Sequence, residues 1–226
     1  YRHVFMQGLP ETVRRLRCGR IIILGDITDE KDCHNADLVN SIVGYLYELG
    51  QQCEVIILRG NHDCVDPTMP FFKFVDRVEN VEWVNDPRVL ALKELGLCLF
   101  LPHSRKAEEE WPHIIGSRQP YRWVFCHNTF DGSDAGGGRQ LRGIPTDVFT
   151  RKAPVVSGDV HVPQINGPVT YVGAPYTINF GDEYKPRMLV LGPDTTMQSI
   201  PVPGIQKRLL KIKASNYNDE KWLKKA

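Results

Sequence analysis

The sequence predicts an α/β fold in which two mixed β-sheets pack as a sandwich with helices on the outside, four layers in all. Short apolar runs typical of buried strands alternate with amphipathic segments in the first half of the chain, and strand follows strand after Val155. Four of the apolar runs end in Asp, Asn or His. Because ligands of α/β proteins gather outside the carboxyl ends of strands, we expect these four ends to meet at one site. One domain is predicted over residues 1–205, followed by a basic segment over residues 206–226.

The first half of the chain is predicted to begin with a helix, with no strand before it. Apolar residues recur at roughly helical spacing between Tyr1 and Arg17, with arginines between them. Gly50 follows a second helical segment and is well placed as its C-terminal stop. The elements predicted in this half are, in order, helix Tyr1–Arg17, strand Ile21–Leu24, helix Leu38–Leu49, strand Glu54–Leu58 and a short helix at Phe71–Val78.

The second half is predicted to consist mainly of short strands separated by turn residues. They are Val81–Val84, Val89–Leu92, Leu97–Leu101, Trp123–Cys126, a strand from Val155, then Val169–Val172, Arg187–Leu191, Met197–Ile200 and Leu209–Ile212, with one helix at Lys106–Ile115. The glycine-rich stretch 131–138 directly follows a candidate ligand, which favours a mobile loop bordering the site over a domain linker.

Composition places the chain among ordinary folded proteins. Of its 226 residues 42% are hydrophobic, and 28 basic and 27 acidic residues leave a formal charge of +1, so the overall field argues neither for nor against a polyanionic partner. No apolar run is long enough to span a bilayer, and no signal peptide opens the chain. The six cysteines form no C-x-x-C pair, which favours reduced thiols and a cytoplasmic location.

The four strand ends carry side chains suited to a pair of metal ions. Hydrolysis of a phosphoester at neutral pH needs a strong nucleophile and neutralised phosphoryl oxygens, and two divalent ions about 3.5–4 Å apart supply both. The carboxylate of Asp26 can bridge two ions, whereas the amide oxygen of Asn61 is a weaker, neutral ligand. His127 and His161 offer imidazole nitrogens, which suit Mn, Fe, Zn or Co.

His62 is predicted to stand beside the ions without binding them and to donate a proton to the leaving oxygen. Asp63 is predicted to orient His62 and to raise its basicity. A lone Gly-Asp after a strand is usually a turn and a lone His is usually structural, but turns seldom need the whole tetrapeptide Gly60–Asp63. The remaining histidines are interpreted as surface or loop residues: His3, His34, His103 and His113. His34 lies in the polar loop after Asp26 and is the one that is also within reach of the mouth of the site.

These motifs resemble those of the calcineurin-like metallophosphoesterase superfamily and follow its order. The matching segments are Gly25-Asp26 with Asp29, Gly60-Asn61-His62-Asp63, His127 and Gly158-Asp159-Val160-His161. The resemblance implies the metallophosphoesterase fold and two divalent ions, Mn²⁺ foremost, with Mg²⁺, Fe, Zn and Co as alternatives. The ligands it implies are Asp26, Asn61, His127, Asp159 and His161.

Later segments are similar to the nuclease subunit of bacterial and phage double-strand-break repair complexes. In that group a Gly-His-x-His-x-Pro-Gln segment precedes a Gly-Ser-Pro turn and a Phe-x-Glu. The corresponding segments here are Gly158–Gln164, Tyr171-Val172-Gly173-Ala174-Pro175 and Asn179-Phe180-Gly181-Asp182-Glu183, with Ile200-Pro201-Val202-Pro203 before the basic segment. This resemblance implies a DNA exonuclease working with an SMC-like ATPase, which the segment from Gln206 helps to bind, and it leaves a homodimer open.

Two departures from the superfamily pattern bear on the metals. The first motif, an Asp-x-His after the opening strand, is absent, and the segment 1–3 does not supply it. We expect that strand to be missing from this sequence, which leaves the first ion with Asp26 and His161. Asp159 stands where the superfamily usually has histidine. Either its carboxylate binds the second ion and favours Mn²⁺ or Mg²⁺, or it faces away and that ion loses a ligand.

The sequence leaves three functions open. The first is a DNA phosphodiesterase, to which the basic segment would add salt-dependent affinity for phosphates. The second is a phosphodiesterase or phosphatase for a small nucleotide or a phosphoprotein. The third is a non-catalytic scaffold that has kept the fold and lost one ion.

Overall fold

The computed structural model describes residues 8–115, 121–149, 153–179 and 182–202. Its helices are α1 (Leu9–Leu16), α2 (Ala36–Gly50) and α3 (Ala107–Ile115), with 3₁₀ helices at Phe71–Arg77 and Thr146–Val148. Its strands are β1 (Arg20–Ile23), β2 (Glu54–Leu58), β3 (Val81–Val84), β4 (Arg88–Leu92), β5 (Gly96–Leu101), β6 (Trp123–Cys126), β7 (Val155–Ser157), β8 (Gln164–Asn166), β9 (Val169–Tyr171), β10 (Arg187–Leu191) and β11 (Met197–Pro201). Within these ranges no helix has the length and apolar character needed to cross a membrane.

The strands are arranged in three sheets. β1, β2 and β3 form a parallel sheet in that order. The largest sheet has the order β4-β5-β6-β7-β9-β8, in which β5, β6, β7 and β9 are parallel and the two outer strands are antiparallel to their neighbours. In the described part of the chain β10 pairs with β11 alone. The predicted α/β sandwich is confirmed, and its described strands form a parallel sheet, a mixed sheet and a separate antiparallel hairpin.

Side chains that alternate between the two faces of each strand pack, among the described residues, into three apolar cores. The core between the sheets includes Ile56, Leu58, Val84, Phe100, Trp123 and Phe125. Val55 and Ile57 face the other way and pack with residues of α2 and the first 3₁₀ helix. Leu99 and Leu101 likewise face away from the sandwich and pack with residues of α3. Since successive strand residues point to opposite faces, both sheets are buried on two sides, which explains why their strands are continuous apolar runs.

The ends of α2 are set by two different interactions. The side chain of Asn35 accepts a hydrogen bond from the Leu38 N–H at 2.8 Å and caps the first turn. α2 ends at Gly50, as predicted, and the residue after it has right-handed backbone angles. A Cβ on Gly50 would lie 2.3 Å from the carbonyl oxygen of Glu79. The glycine therefore allows the helix end to pack closely against the segment before β3.

Most predicted elements occur close to their predicted positions, with three exceptions. The helix predicted over Tyr1–Arg17 is described only from Leu9. β8 was not predicted, because it is a three-residue edge strand whose one apolar side chain, Ile165, is 75% exposed. The strand predicted at Leu209–Ile212 and the basic segment 206–226 lie outside the described residues.

Candidate metal centre

The loops that follow β1, β2, β6 and β7 meet at one edge of the sandwich. Parallel pairing places the ends of β1 and β2 side by side, and those of β6 and β7 likewise. The two pairs touch across the sheets at His127, whose Nδ1 contacts the carbonyl oxygen of Leu24. They touch again at Gly158, where a Cβ would lie 2.3 Å from the same oxygen. The predicted meeting of the four strand ends is therefore confirmed.

The loops approach so closely that two positions require glycine. Gly25 has φ +87°, and a Cβ there would lie 2.5 Å from His127 Nδ1. A Cβ on Gly60 would lie 2.2 Å from Asp26 Oδ1. Asp26 and Asp159 have φ values of 55° and 72°, in the left-handed region that residues other than glycine adopt at an energetic cost. Strain at two candidate ligands indicates a functional reason for their placement.

His127 lies at the centre of a cluster of oxygen atoms. Its Nε2 is 3.0 Å from Asn61 Oδ1, 3.3 Å from Asp26 Oδ2 and 3.8 Å from Asp159 Oδ1. Because its Nδ1 faces a carbonyl oxygen, which can only accept, Nδ1 holds a proton and Nε2 is the atom left to bind a metal. One ligand atom from each of Asp26, His127 and Asp159 lies within 4.8 Å of the others. One nitrogen and three oxygens suit a divalent ion such as Mn²⁺, Fe²⁺ or Zn²⁺, so the residues present fit a metal.

The two carboxylates control the charge of His127. Burial alone would lower the pKa of His127, but Asp26 and Asp159 outweigh burial and raise it to about 9. Burial alone would raise the pKa of Asp26, but His127 and the backbone N–H of His62 lower it below its ordinary value. At neutral pH the cluster therefore holds a proton on Nε2, and a cation bound among the same oxygens would replace that proton.

His62 lies at the Asp26 end of the cluster and is not one of its donors. Its backbone N–H donates to Asp26 Oδ1 at 2.8 Å. Its Nδ1 lies 2.6 Å from the carbonyl oxygen of Asp29, and 37% of the side chain is exposed. That carbonyl holds the proton on Nδ1, so Nε2 is the atom available to a bound molecule. The geometry is compatible with the predicted role of His62 as a proton donor, which stays a prediction.

Asp63 makes different contacts from those predicted. Its side chain is fully buried and accepts three backbone N–H groups, from Gly60 at 2.6 Å and from Asp26 and Ile27 at 2.9 Å. Burial raises the pKa of Asp63, and the three donors oppose that rise. Among the described contacts none joins its carboxylate to the His62 ring, which the Asp29 carbonyl orients instead. Asp63 thus fixes the β1 and β2 loops to each other.

His161 is not among the clustered donors. Within the described residues the cluster of possible protein ligands is Asp26, His127 and Asp159, and the side chain of His161 is exposed. His161 does line the cavity that Asp26 and His62 also line, a space of about 930 Å³ between β1 and β10. Of the two alternatives for Asp159, the structure has its carboxylate facing the cluster.

His34 is held by aromatic packing away from the cluster. Its ring centroid lies 4.4 Å from that of Phe71 and 5.0 Å from that of Phe72, both in the first 3₁₀ helix. It does not line the cavity beside Asp26. His34 is therefore a loop residue, as interpreted, but it is not the solvated one that was expected, because both of its ring nitrogens are buried.

The family model described as calcineurin-like phosphoesterase matches residues 6–192. The chain belongs to the calcineurin-like phosphoesterase family. Membership confirms the metallophosphoesterase fold expected from the sequence motifs.

A solved structure similar to this phosphoesterase is that of Pseudomonas putida nuclease MPE. The two sequences are 16% identical, the TM-score is 0.39, and the match covers 76% of this chain and 65% of that chain. The phosphoesterase thus spans a little less than two thirds of that nuclease. No curated protein matches this phosphoesterase.

Two side chains of the phosphoesterase site were not predicted from the sequence. Thr129 donates a hydrogen bond from Oγ1 to Asp159 Oδ2. His103 is partly buried beside His127, with Nδ1 3.3 Å from the His127 carbonyl oxygen. Burial and the positive charge of His127 lower the pKa of His103. His103 follows the apolar run of β5 much as His127 follows β6, and this was the signal available in the sequence.

Proposed function

We propose that this phosphoesterase hydrolyses phosphodiesters and that its substrate is DNA. The observation that carries the proposal is the convergence of Asp26, Asn61 and Asp159 on His127 Nε2, with His62 beside them at a cavity. A divalent ion held there supplies charge neutralisation of the phosphoryl oxygens and an activated water.

The protein's own residues would hold the metal and move one proton. Asp26, Asn61, His127 and Asp159 would provide the donor atoms. His62 donates a proton from Nε2 to the leaving oxygen while the Asp29 carbonyl holds its Nδ1. A positioned general acid of this kind contributes on the order of 10²- to 10⁴-fold to the rate.

Mn²⁺ is the proposed ion because oxygen donors outnumber nitrogen donors in the cluster. Two carboxylates and an amide oxygen with one imidazole favour a harder ion than a thiolate or multi-histidine site does. The first ion predicted from the sequence would rest on Asp26 and His161, on the cavity side of the cluster. His161 is exposed and lines that cavity but is not one of the clustered donors, so this first site needs His161 to come closer to Asp26.

The DNA part of the proposal is supported by the segments that resemble double-strand-break nucleases. Two of them contact each other beside the cluster. The Ala174 N–H donates to the His161 carbonyl oxygen at 2.8 Å, and a Cβ on Gly173 would lie 2.5 Å from Pro163 Cγ. The SMC-like ATPase partner, the homodimer and the exonuclease mode are proposals that rest on the same resemblance.

A second candidate substrate is a small nucleotide ester. It is favoured by the cavity of about 930 Å³, which lies within the range of about 300–1,000 Å³ typical of small-molecule sites. Duplex DNA would instead lie across the mouth, with only the reacting phosphodiester near the cluster.

Hydrolysis assays with Mn²⁺ separate these functions. The substrates are linear duplex DNA labelled at its ends, a nucleoside monophosphate and bis(p-nitrophenyl) phosphate. Shortening of the DNA from its ends supports the proposal, whereas activity on the mononucleotide with none on DNA supports the second candidate. Absence of turnover on every substrate, together with no Mn²⁺ binding by calorimetry, would leave the scaffold function.

Replacing His62 with Ala tests the proposed acid. We expect turnover of DNA to fall by about 10²- to 10⁴-fold while Mn²⁺ content stays near that of the wild type, because His62 is not one of the clustered donors. The matched variant Asp26→Ala should lose both metal and activity. Loss of Mn²⁺ from His62→Ala would make His62 a ligand and remove it as the acid.

A further inference from the structure

His103 is a fifth strand-end residue beside the cluster, and it has no part in metal binding or in the proton transfer from His62. β5 and β6 pair in parallel with Leu101 opposite Cys126, so the residues that follow these strands leave the sheet at the same edge. The rings of His103 and His127 lie 6.2 Å apart and nearly perpendicular, at 81°. Asp159 is close enough for its charge to act on His103.

The backbone at His103 is fixed from both sheets. The His103 N–H donates to the Arg59 carbonyl oxygen at 3.0 Å, and Arg59 Nη2 donates to the His103 carbonyl oxygen at 2.8 Å. The neighbouring Ser104 exchanges two hydrogen bonds with the side chain of Asn128, at 3.0 and 3.2 Å. A solvated loop histidine needs no such support, whereas a side chain that must hold another group in place does.

The two ring nitrogens of His103 face different surroundings. Nδ1 lies 3.3 Å from the His127 carbonyl oxygen, which can only accept, so this nitrogen carries the proton. Nε2 is then an acceptor. Among the described residues, no protein group forms a hydrogen bond with this nitrogen. It is also not a buried atom, so it is open to solvent.

His62 and His103 contact different residues of the cluster. His62 donates its backbone N–H to Asp26 and lines the cavity with it, whereas the ring of His103 lies beside that of His127. In-line displacement at phosphorus requires the leaving group and the attacking oxygen on opposite sides. The phosphoryl oxygens only accept hydrogen bonds, as Nε2 of His103 does, so the group that this nitrogen suits is the O–H of the attacking oxygen.

We propose that Nε2 of His103 accepts a hydrogen bond from the attacking hydroxide and holds it in line with the phosphorus. The attacking oxygen forms the new bond to phosphorus and keeps its proton, while the ester bond breaks and the leaving oxygen takes the proton of His62. His103 therefore acts by orientation and gains no proton. This role deepens the proposed phosphodiester hydrolysis and rests on it.

Two substitutions test the two ring nitrogens of His103 one at a time. The amide of Asn reaches about as far as Nδ1, so His103→Asn keeps the contact with the His127 carbonyl and removes the acceptor at Nε2. The longer His103→Gln places its amide oxygen near the position of Nε2. We expect kcat to fall by about 10- to 100-fold in the Asn variant, with KM and Mn²⁺ affinity little changed, and Gln to restore most of the loss.

The dependence of the reaction rate on the leaving group distinguishes the proposed role of His103 from that of a general acid. The Asn variant should lose the same factor on bis(p-nitrophenyl) phosphate, whose leaving group needs no proton, and on a dinucleotide, whose leaving group does. His62→Ala should lose far more on the dinucleotide. A loss in the Asn variant that is confined to the dinucleotide, equal activities of the Asn and Gln variants, or weaker Mn²⁺ binding would each overturn the proposal.

One measurement is independent of turnover and of the stability of the variants. Long-range ¹H–¹⁵N spectra of the metal-free wild type, labelled at histidine, report the tautomer, and we expect a proton on Nδ1 of His103 with Nε2 unprotonated. A proton on Nε2 instead overturns the role. If the wild type hydrolyses no phosphoester, the proposed function fails and this role fails with it. If the wild type is active and the Asn variant is equally active, only the role of His103 fails.

Discussion

The carboxylate of Asp63 holds the loops of Asp26 and Asn61 together from inside the protein. It has no exposed surface and accepts three backbone N–H groups, two from the β1 loop and one from the β2 loop. A buried carboxylate satisfied in this way is tolerated, but its loss leaves buried donors without partners. Asp63 therefore shapes the backbone that presents Asp26 and Asn61 to the cluster.

Asp63→Asn should lower the free energy of unfolding by about 3 kcal/mol. The amide NH₂ would face a backbone N–H, and the remaining hydrogen bonds would lose their charged acceptor, each such bond being worth about 1.5–3 kcal/mol. Chemical denaturation of the metal-free protein measures the change. The control is Asp32→Asn, an exposed residue of the same region whose replacement should leave stability unaltered. Equal stability of the two variants would contradict the role given to Asp63.

Thr129 orients Asp159 through the hydrogen bond from its hydroxyl. Thr129→Val keeps the shape of the side chain and removes that bond, so Mn²⁺ affinity should fall by about tenfold, as when an outer partner of a metal ligand is lost. Thr129→Ser keeps the hydroxyl and should bind Mn²⁺ much as the wild type does. Calorimetry on the two variants gives the comparison, and equal losses would show that the methyl group, not the hydroxyl, matters.

At the scale of elements, the sequence predicts the largely buried strands at their observed residues. β2, β3 and β6 begin and end where predicted because buried strands read as apolar runs between turns. β8 has no such run and was missed. Local rules predict that α2 ends at Gly50, as it does, but they describe the chain alone and give no sign of its contact with Glu79, a residue distant in sequence.

The residues of the candidate site likewise differ in how far the sequence alone predicts their contacts. Asp26, Asn61, His127 and Asp159 were predictable because each lies within three residues of the carboxyl end of a strand, and parallel strands bring such residues to one edge. The contacts of Asp63 could not be predicted, since they depend on which N–H groups two separate loops turn inward. That His161 is not one of the clustered donors is likewise set by the fold and not by its motif.

α2 offers a prediction at this scale, because its two glycines should respond in opposite directions. A Cβ on the exposed Gly44 meets nothing within 4 Å. Gly44→Ala should therefore raise the free energy of unfolding by about 0.5–1 kcal/mol through helix propensity. Gly50→Ala should lower it by about 1–3 kcal/mol, because the new methyl group would lie 2.3 Å from the Glu79 oxygen. Thermal unfolding compares the pair, and stabilisation by both would mean that the end of α2 moves freely.

At the scale of the whole molecule, the cluster joins the two sheets by charge. Asp26 follows a strand of the parallel sheet, whereas His127 and Asp159 follow strands of the largest sheet. The interaction with Asp26, which raises the pKa of His127 more than that with Asp159 does, therefore acts between the two sheets of the sandwich, opposed by burial. Protonation of one imidazole is thus linked to the stability of the fold as a whole.

The metal-free protein should lose stability as pH rises from about 6.5 to about 9. The pKa of His127 is raised from an ordinary 6.5 to about 9, so the folded state binds this proton more tightly than the unfolded state does. The contribution is complete below the ordinary pKa and lost above the raised one, and a difference of about 2.5 units corresponds to about 3 kcal/mol.

Mn²⁺ should reverse this trend because it competes with the same proton. Its affinity is expected to rise by about tenfold per pH unit over this interval, so the increase in Tm that Mn²⁺ produces should grow with pH. Thermal unfolding with and without Mn²⁺ across the interval measures both effects. His127→Gln lacks the titrating group and should flatten the dependence of Tm on pH in the metal-free protein. A flat dependence in the wild type would mean that His127 is neutral in the cluster and that no proton occupies the place of the metal.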